Sequence, residues 1–394
     1  MFDSVHIGLS GLQAFSKGLK VISNNVANLN TPGFKSTDLR FADLYYQTEG
    51  GAGGNGHPAQ LGTGVSTLAP FINFKDGETR QTGNPLDLSI DGPGFFITRD
   101  AEDGTLAYTR AGQFEFDKEG ILLSRSTGRQ AMGYAADGSL GTMSLAGLRM
   151  SAPAATTTVR FRGNLSTGHE FAVDAVPITD AAGGQHTVSL KFSPAAGGAN
   201  AWTLSVVDGT VETPAGEISF VDGAPAPNSA RLSFTYTPAG ADPVNLSFDF
   251  SDQVTSFAAG ANSTLGVSST DGSAAGTLTQ TSFDDHGVLT LVYSNGKTAK
   301  GAQLALARFE SNDALEAAGA GEFVSADERR TQVARAASDG FGKVVSNQVE
   351  ISNVDLASEF SDLIVMQRGY QASSRIVSTA NEMLQELFDM KGKR

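Results

Sequence analysis

Apolar side chains near the start of the chain recur at alternating steps of three and four: Val5, Leu12, Phe15, Leu19, Ile22, Val26 and Leu29, with Gly8 the one break in the stripe. Near the other end, Leu356, Leu363, Tyr370, Val377 and Leu384 recur every seven residues, accompanied by Met366, Ala380 and Leu387. Both spacings place the side chains on one helix face, as in the seam of a coiled coil. Helices are therefore predicted over 1–30 and 353–394. Val5, Leu12, Phe15, Leu19, Ile22, Val26, Leu356, Leu363, Tyr370, Val377 and Leu384 are the expected assembly seam. Asp3 or Ser4 is the expected cap of the first helix, Thr31-Pro32-Gly33 its stop, and Asn353 or Asp355 the cap of the last.

Between the helices the period changes to two. Residues 31–70 read as an extended connector with a flexible glycine-rich centre, Gly50 to Gly56. From 71 to 145, Leu86, Leu88 and Ile90 alternate with Asp87, Ser89 and Asp91, and Phe114 alternates with Phe116, as in hairpins of a β domain. Short strands spaced by Gly, Pro, Asn and Ala then predict a second, mostly β unit over 146–284, a barrel or a sandwich. The segment 285–352, with a hairpin turning at Asn295-Gly296, continues the first. The fold class is thus mainly β with helical termini: coiled-coil ends, and two nested β domains with the outer one inserted into the inner.

Composition narrows the function. With 46 Gly, 13 Pro and only 18% charged residues, the surface must be supplied by small polar side chains. The net charge of −14 excludes an electrostatic footprint for nucleic acid and disfavours an anionic membrane. The 146–284 segment alone holds 12 acidic against 5 basic residues, read as a solvated acidic surface. There is no cysteine, hence no disulfide, thiolate metal site or cysteine nucleophile. No secretory signal and no apolar run of membrane-spanning length is visible, which alone would place the chain in the cytoplasm.

No catalytic constellation emerges. His6, His57, His169, His186 and His286 lack metal-ligand spacing, and neither G-x-S-x-G nor H-E-x-x-H occurs. Gly50 to Gly56 lacks the strand-to-helix context of a phosphate loop, and Gly296-Lys297-Thr298 reads as a hairpin turn. Asp284-Asp285-His286 reads as a solvated turn where a strand pair begins; a carboxylate-based hydrolase is the enzymatic alternative. Neither a catalytic residue nor a metal or cofactor is expected.

Three ordered motifs carry a resemblance. The first is Gly8-Leu9-Ser10-Gly11-Leu12 with Ile22-Ser23-Asn24-Asn25-Val26-Ala27-Asn28 and Asn30-Thr31-Pro32-Gly33-Phe34-Lys35. The second is Leu86-Asp87-Leu88-Ser89-Ile90-Asp91-Gly92 with Gly94-Phe95-Phe96, then Tyr108-Thr109-Arg110 and Gly112-Gln113-Phe114. The third runs from Glu350-Ile351-Ser352-Asn353-Val354-Asp355 to Gln367-Arg368-Gly369-Tyr370-Gln371-Ala372. Together they resemble the rod and hook axial proteins of the bacterial flagellum. Within that family the large inserted segment is similar to hook subunits, whereas the connector Phe41 to Thr48, ending in Leu61 to Val65, is more similar to the distal rod. A surface adhesin with β domains on a coiled-coil stalk is a further alternative.

The resemblance implies a non-enzymatic helical homopolymer, terminal helices around a central channel, and location in the flagellar basal body and hook, outside the cell after export through that channel. The implied partners are further copies of the chain, the distal rod, the hook-capping protein, the hook-filament junction protein and the flagellar export apparatus. Physical chemistry points the same way. Burying each large stripe residue is worth ~1.5–3 kcal/mol, while ordering each backbone residue costs about 1–2 kcal/mol. A lone terminal helix is therefore marginal, and both termini are expected to fold on assembly.

Overall fold

The computed structural model describes residues 2–52, 58–195 and 200–392, and the chain divides into two compact units. The first comprises Met1–Ala146, Thr281–Thr290 and Lys300–Arg394; the second comprises Gly147–Gln280 and Leu291–Ala299. The fold is mainly β, with helices α1 (Phe2–Ala27) and α2 (Leu356–Gly392) near the two ends.

Helix α1 already includes Asp3 and Ser4, so neither is its cap. Asp3 instead places a negative charge in the first turn, where the helix dipole favours it. At the other end the choice of cap is decided. Asp355 Oδ1 accepts the backbone N–H of Ala357 at 2.8 Å and of Ser358 at 3.4 Å. Asn353 is used elsewhere: its Oδ1 accepts Ser36 N–H at 2.7 Å and its Nδ2 donates to Asn73 O at 2.7 Å.

The connector is extended, but it is paired with itself. Thr37–Asp38 pairs with Phe71–Ile72, Phe41–Asp43 with Val65–Thr67, and Tyr46–Ala52 with Pro58–Gly62, all antiparallel. The registers Ala42↔Ser66 and Gln47↔Leu61 belong to one long hairpin, which shifts by a single residue before Thr37↔Ile72. The sequence hid this arm because no clean alternation marks its strands. The flexible centre expected at Gly50 to Gly56 lies largely at 53–57, outside the described residues. The arm runs beside α1, where Val65 N–H donates to Ser10 Oγ at 3.2 Å and Lys17 Nζ to Thr67 Oγ1 at 3.2 Å.

In the inner sheet, Thr298–Phe309 pairs with Gln130–Tyr134, Phe95–Arg99 and Thr331–Arg335. Phe95–Arg99 continues through Leu106–Thr109 to Glu322–Ser325. Phe95, Ile97, Tyr108, Phe309 and Phe323 form its core, with Phe95 and Tyr108 both edge-on to Phe309. Leu88–Asp91 pairs with Lys343–Ser346, and Thr79–Gln81 with Gln348–Glu350, so distant segments of chain are laced together below the helices. The alternation at 86–91 does not mark a half-exposed strand: Asp87 and Ser89 are as buried as Leu88 and Ile90. Their polar atoms are satisfied by Arg125 Nη2, at 3.3 Å from Asp87, and by Gln348 Nε2, at 2.8 Å from Ser89.

The second unit has two five-stranded sheets around one apolar core. One contains Thr158–Asn164, flanked by Val244–Asp249 in parallel and Gly266–Thr270 antiparallel. A parallel pair cannot be closed by a tight turn. Most of the chain between those two strands builds the other sheet, which meanders through Phe171–Thr179, Gln185–Pro194, Ala201–Asp208 and Val211–Val221, before Arg231–Tyr236 returns to pair with Val244–Asp249. Val188, Leu190 and Phe192 on one strand, and Trp202, Leu204 and Val206 on the next, alternate inward as the two-residue period requires.

Candidate functional site

All three sequence motifs meet at one buried knot beneath the helices. Lys35 Nζ lies 2.6 Å from Glu350 Oε1, and Arg110 Nη1 lies 3.1 Å from Glu350 Oε2; the three side chains are 1%, 5% and 2% exposed, in the order Lys35, Arg110, Glu350. Gly77 N–H adds a third donor to the carboxylate at 2.9 Å. Two further donations go to backbone carbonyls, Lys35 Nζ to Lys75 O at 2.7 Å and Arg110 Nη2 to Gly92 O at 2.8 Å, while the buried Arg110 Nε has no hydrogen-bond partner. Asp76, 3.3 Å from Arg110, supplies the second negative charge, so two cations face two anions. Burial is the main reason the Lys35 ammonium lies below its ordinary pKa, with Glu350 opposing the shift.

Backbone contacts tie the same place together. Gly33 N–H donates to Glu350 O at 2.9 Å, and Ile351 N–H to Glu78 O at 2.8 Å. Gly33 holds φ +69°, and a Cβ there would overlap the Ala111 backbone, so only glycine fits this stop. The exit of α1 and the entrance to α2 thus leave the β structure from one point.

Above the knot, α1 and α2 pack through small residues. A Cβ on Gly8 would lie 2.8 Å from Val377 Cγ2, on Gly11 2.6 Å from Ser373 Oγ, on Gly18 2.9 Å from Met366 Sδ, and on Gly369 2.5 Å from the Phe15 ring. Ala14, Ile22 and Ala380 are buried along the same line. Gly8 is therefore part of the seam. The hydrophobic stripe missed the glycines because a residue without a side chain carries no apolar signal, only the capacity for close approach. At the base of the seam, Asn25 Nδ2 donates to Glu359 Oε1 at 2.8 Å and to Thr37 O at 2.9 Å, while its Oδ1 accepts Thr37 N–H at 3.0 Å. Asn28 Nδ2 turns back to Asn24 O at 2.9 Å, closing the end of the helix.

Of the expected seam residues, Ile22 is buried, while Val5, Leu12, Phe15, Leu19, Val26, Leu363, Val377 and Leu384 are half-buried. Leu356 and Tyr370 stand exposed, outside the seam within the chain. They are not alone. At about 100° per residue, Leu356, Phe360 and Tyr370 project on one side of that seam, and Val365, Ile376 and Met383 on the other. Phe360 is 54% and Val365 60% exposed. A helix with apolar residues round most of its circumference belongs in a packed interior, so both flanks await neighbours.

The other candidate chemistry resolves into turns. Asp284 Oδ1 accepts the backbone N–H of His286 at 3.0 Å and of Val288 at 2.9 Å. Gly296, at φ +75°, closes the hairpin that contains Lys297 and Thr298. Among the described residues no group of three or more His, Cys, Asp or Glu is placed to hold a metal ion, and no helix is long and apolar enough to cross a membrane.

Three family models match the chain in order: Flagella basal body rod protein over 6–35, Flagellar hook protein FlgE/F/G D1 domain over 89–165, and Flagellar basal body rod FlgEFG protein C-terminal over 345–390. Lys35 falls in the first match, Arg110 in the second and Glu350 in the third, so the knot joins the segments that define the class: the rod and hook proteins of the bacterial flagellum. The chain is 30% identical over 465 aligned residues to the flagellar hook protein FlgE of Treponema pallidum (strain Nichols), covering 99% of this chain and 100% of that protein. It is 30% identical over 412 residues to the FlgE of Escherichia coli (strain K12), covering 97% and 98%. The chain belongs to the flagellar hook protein family. It is also similar to the flagellar basal-body rod protein FlgG of Bacillus subtilis (strain 168), 25% identical over 399 residues with 99% and 100% covered. Among solved structures it is similar to the hook protein FlgE2 of Helicobacter pylori, with a TM-score of 0.45, 13% identity, and 69% of this chain and 100% of that chain covered.

Two outcomes follow from the geometry. Glu350→Gln leaves the buried Lys35 facing a neutral partner and Arg110 with Asp76 alone, and is expected to cost about 3–5 kcal/mol, read as a lowered urea midpoint of the first unit; an unchanged midpoint would refute the knot's role. Burial, and then Asp362, Asp38 and Asp355, raise the Glu359 pKa against the hydrogen bond from Asn25. The folded state therefore holds this proton to higher pH than the unfolded state, and its stabilising contribution is lost as pH rises through the folded pKa. Glu359→Gln keeps an acceptor for Asn25, so its thermal midpoint should fall less than that of the wild type as pH rises from the ordinary carboxylate range toward neutrality.

Proposed function

We propose that the chain is the structural subunit of the flagellar hook, repeated into a curved, flexible helical tube that carries motor torque to the filament. The observation that carries this reading is the pair of exposed apolar flanks on α2, either side of a seam already closed within the chain. A contact that repeats by a rotation that does not close builds an open helical filament, and a two-sided interface suits it. The few charges and many small polar residues of the surface suit wet contacts that readjust as each subunit passes the inner curve. The subunit has a mechanical role and no catalytic one.

By the same reading the chain is exported through the flagellar channel to the outside of the cell, and the tube joins the distal rod, the hook-capping protein and the hook-filament junction protein. A helix pair that leaves the large apolar residues of its flanks uncovered is poorly ordered alone, which fits passage as an unfolded chain. The distal rod is the second reading, favoured by the connector residues Phe41 to Thr48, and weakened by the lower identity to the rod relative than to the hook relatives.

Electron microscopy of basal bodies from a strain lacking this gene separates the two. Complete rods without hooks are expected; truncated rods would mean a rod protein, and unchanged flagella neither. Phe360→Glu and Val365→Glu, at exposed positions, should each leave secretion intact and abolish polymer, and wild-type hooks from both would refute the flank assignment. Circular dichroism should show helicity rising from free subunit to polymer, whereas equal helicity would show that the helices fold alone.

A further inference from the structure

At the base of the helix pair, Leu29, Val354 and Leu356 contribute apolar surface to a groove of about 650 Å³, whose wall also carries the carboxylates of Asp76, Glu78 and Asp355. Leu356 is exposed, and the Asp76 side chain is 62% exposed despite its contact with Arg110. Within the chain this surface combines an open shape, apolar side chains and negative charge, the Asp76 charge being balanced by Arg110 and the excess coming from Glu78 and Asp355. Ordinary acidic surface needs no partner, but apolar side chains beside it gain from one that brings both apolar groups and cations.

The chain contains one segment of that description. The last turns of α2 expose Leu387, Phe388 and Met390, and the residues beyond include Lys391, Lys393 and Arg394. Those three are most of the five positive charges that follow residue 355, in a chain whose net charge is −14. The groove lies at the start of α2 and the basic segment at its end. Along a helix of 37 residues that separation is ~55 Å at 1.5 Å per residue. A continuous helix cannot bend back over such a distance, so one copy cannot fill its own groove.

We propose that residues 387–394 of one copy dock in the groove formed by Leu29, Asp76, Glu78, Val354, Asp355 and Leu356 of another, linking α2 helices head to tail along the tube. The inference rests on the hook-subunit reading and names the partner for one part of that surface. The contact is heterologous, since the two surfaces differ, and each copy offers one of each. Repetition therefore continues without closing. Apolar burial by Leu387, Phe388 and Met390 supplies most of the attraction, and the salt-sensitive charges fix which end meets which.

A zero-length carbodiimide, which joins a lysine amine to a carboxylate only in direct contact, tests this on wild-type polymer. Denaturing gels should show a ladder of covalent multimers, and mass spectrometry should find Lys391 or Lys393 joined to Asp76, Glu78 or Asp355. Polymer of the Lys391→Gln, Lys393→Gln double variant should lose those links, and if that variant fails to polymerise, the two lysines are required for assembly as proposed. Wild-type polymer in which neither lysine is joined to any of the three carboxylates would overturn the proposal. Failure of the wild-type chain to polymerise at all would instead bring down the hook-subunit reading beneath it.

Discussion

The carboxylate of Glu350 is the point on which the first unit hangs. Both of its oxygens are used, by Lys35, Arg110 and the Gly77 amide, and its backbone carbonyl takes the amide of Gly33. A buried charge of this kind is costly unless fully paired, so the cluster contributes less through net stability than through uniqueness of arrangement. Only one geometry satisfies the segment after α1, the hairpin before Ala111 and the segment before α2 together. The two helices consequently leave the β structure side by side, and their register is set before their faces meet.

That register makes the small residues decisive. Gly8, Gly11, Gly18 and Gly369 let the helices approach closely enough that Ala14, Ile22 and Ala380 complete the contact. The glycines make room for Val377, Met366 and Phe15 across the seam, whereas Phe360, Val365 and Ile376 of α2 remain on its flanks. A helix pair closed by large residues would have buried its apolar surface within one subunit. One closed by glycine leaves that surface for others, which is the division of labour an assembling protein needs.

The candidate site was only partly legible in the sequence. Periodicity found the helices, and the motifs found the residues of the knot, but not their association. Lys35 and Arg110 lie 315 and 240 residues from Glu350 along the chain, and no local pattern encodes pairing at that distance. At Leu86 to Asp91 the alternation marks the strand but not the burial of Asp87 and Ser89, which depends on Arg125 and Gln348 brought from distant segments. The connector hid its hairpin because pairing there depends on backbone hydrogen bonds more than on an apolar face.

What the sequence determined by itself is the set of elements and their kind. Heptad spacing specifies helices near both ends, and alternation with glycine-rich turns specifies β structure between them, because both signals are local consequences of backbone geometry. The three motifs likewise identify the family without coordinates. Tertiary structure alone decided which groups meet: that Glu350 collects two cations, that Gly8 is a contact and no gap, that Asp355 caps α2 while Asn353 ties the stems, and that the apolar flanks stay open. Those outcomes depend on long-range juxtaposition, where charge must be neutralised and volume filled by whatever the rest of the chain brings alongside.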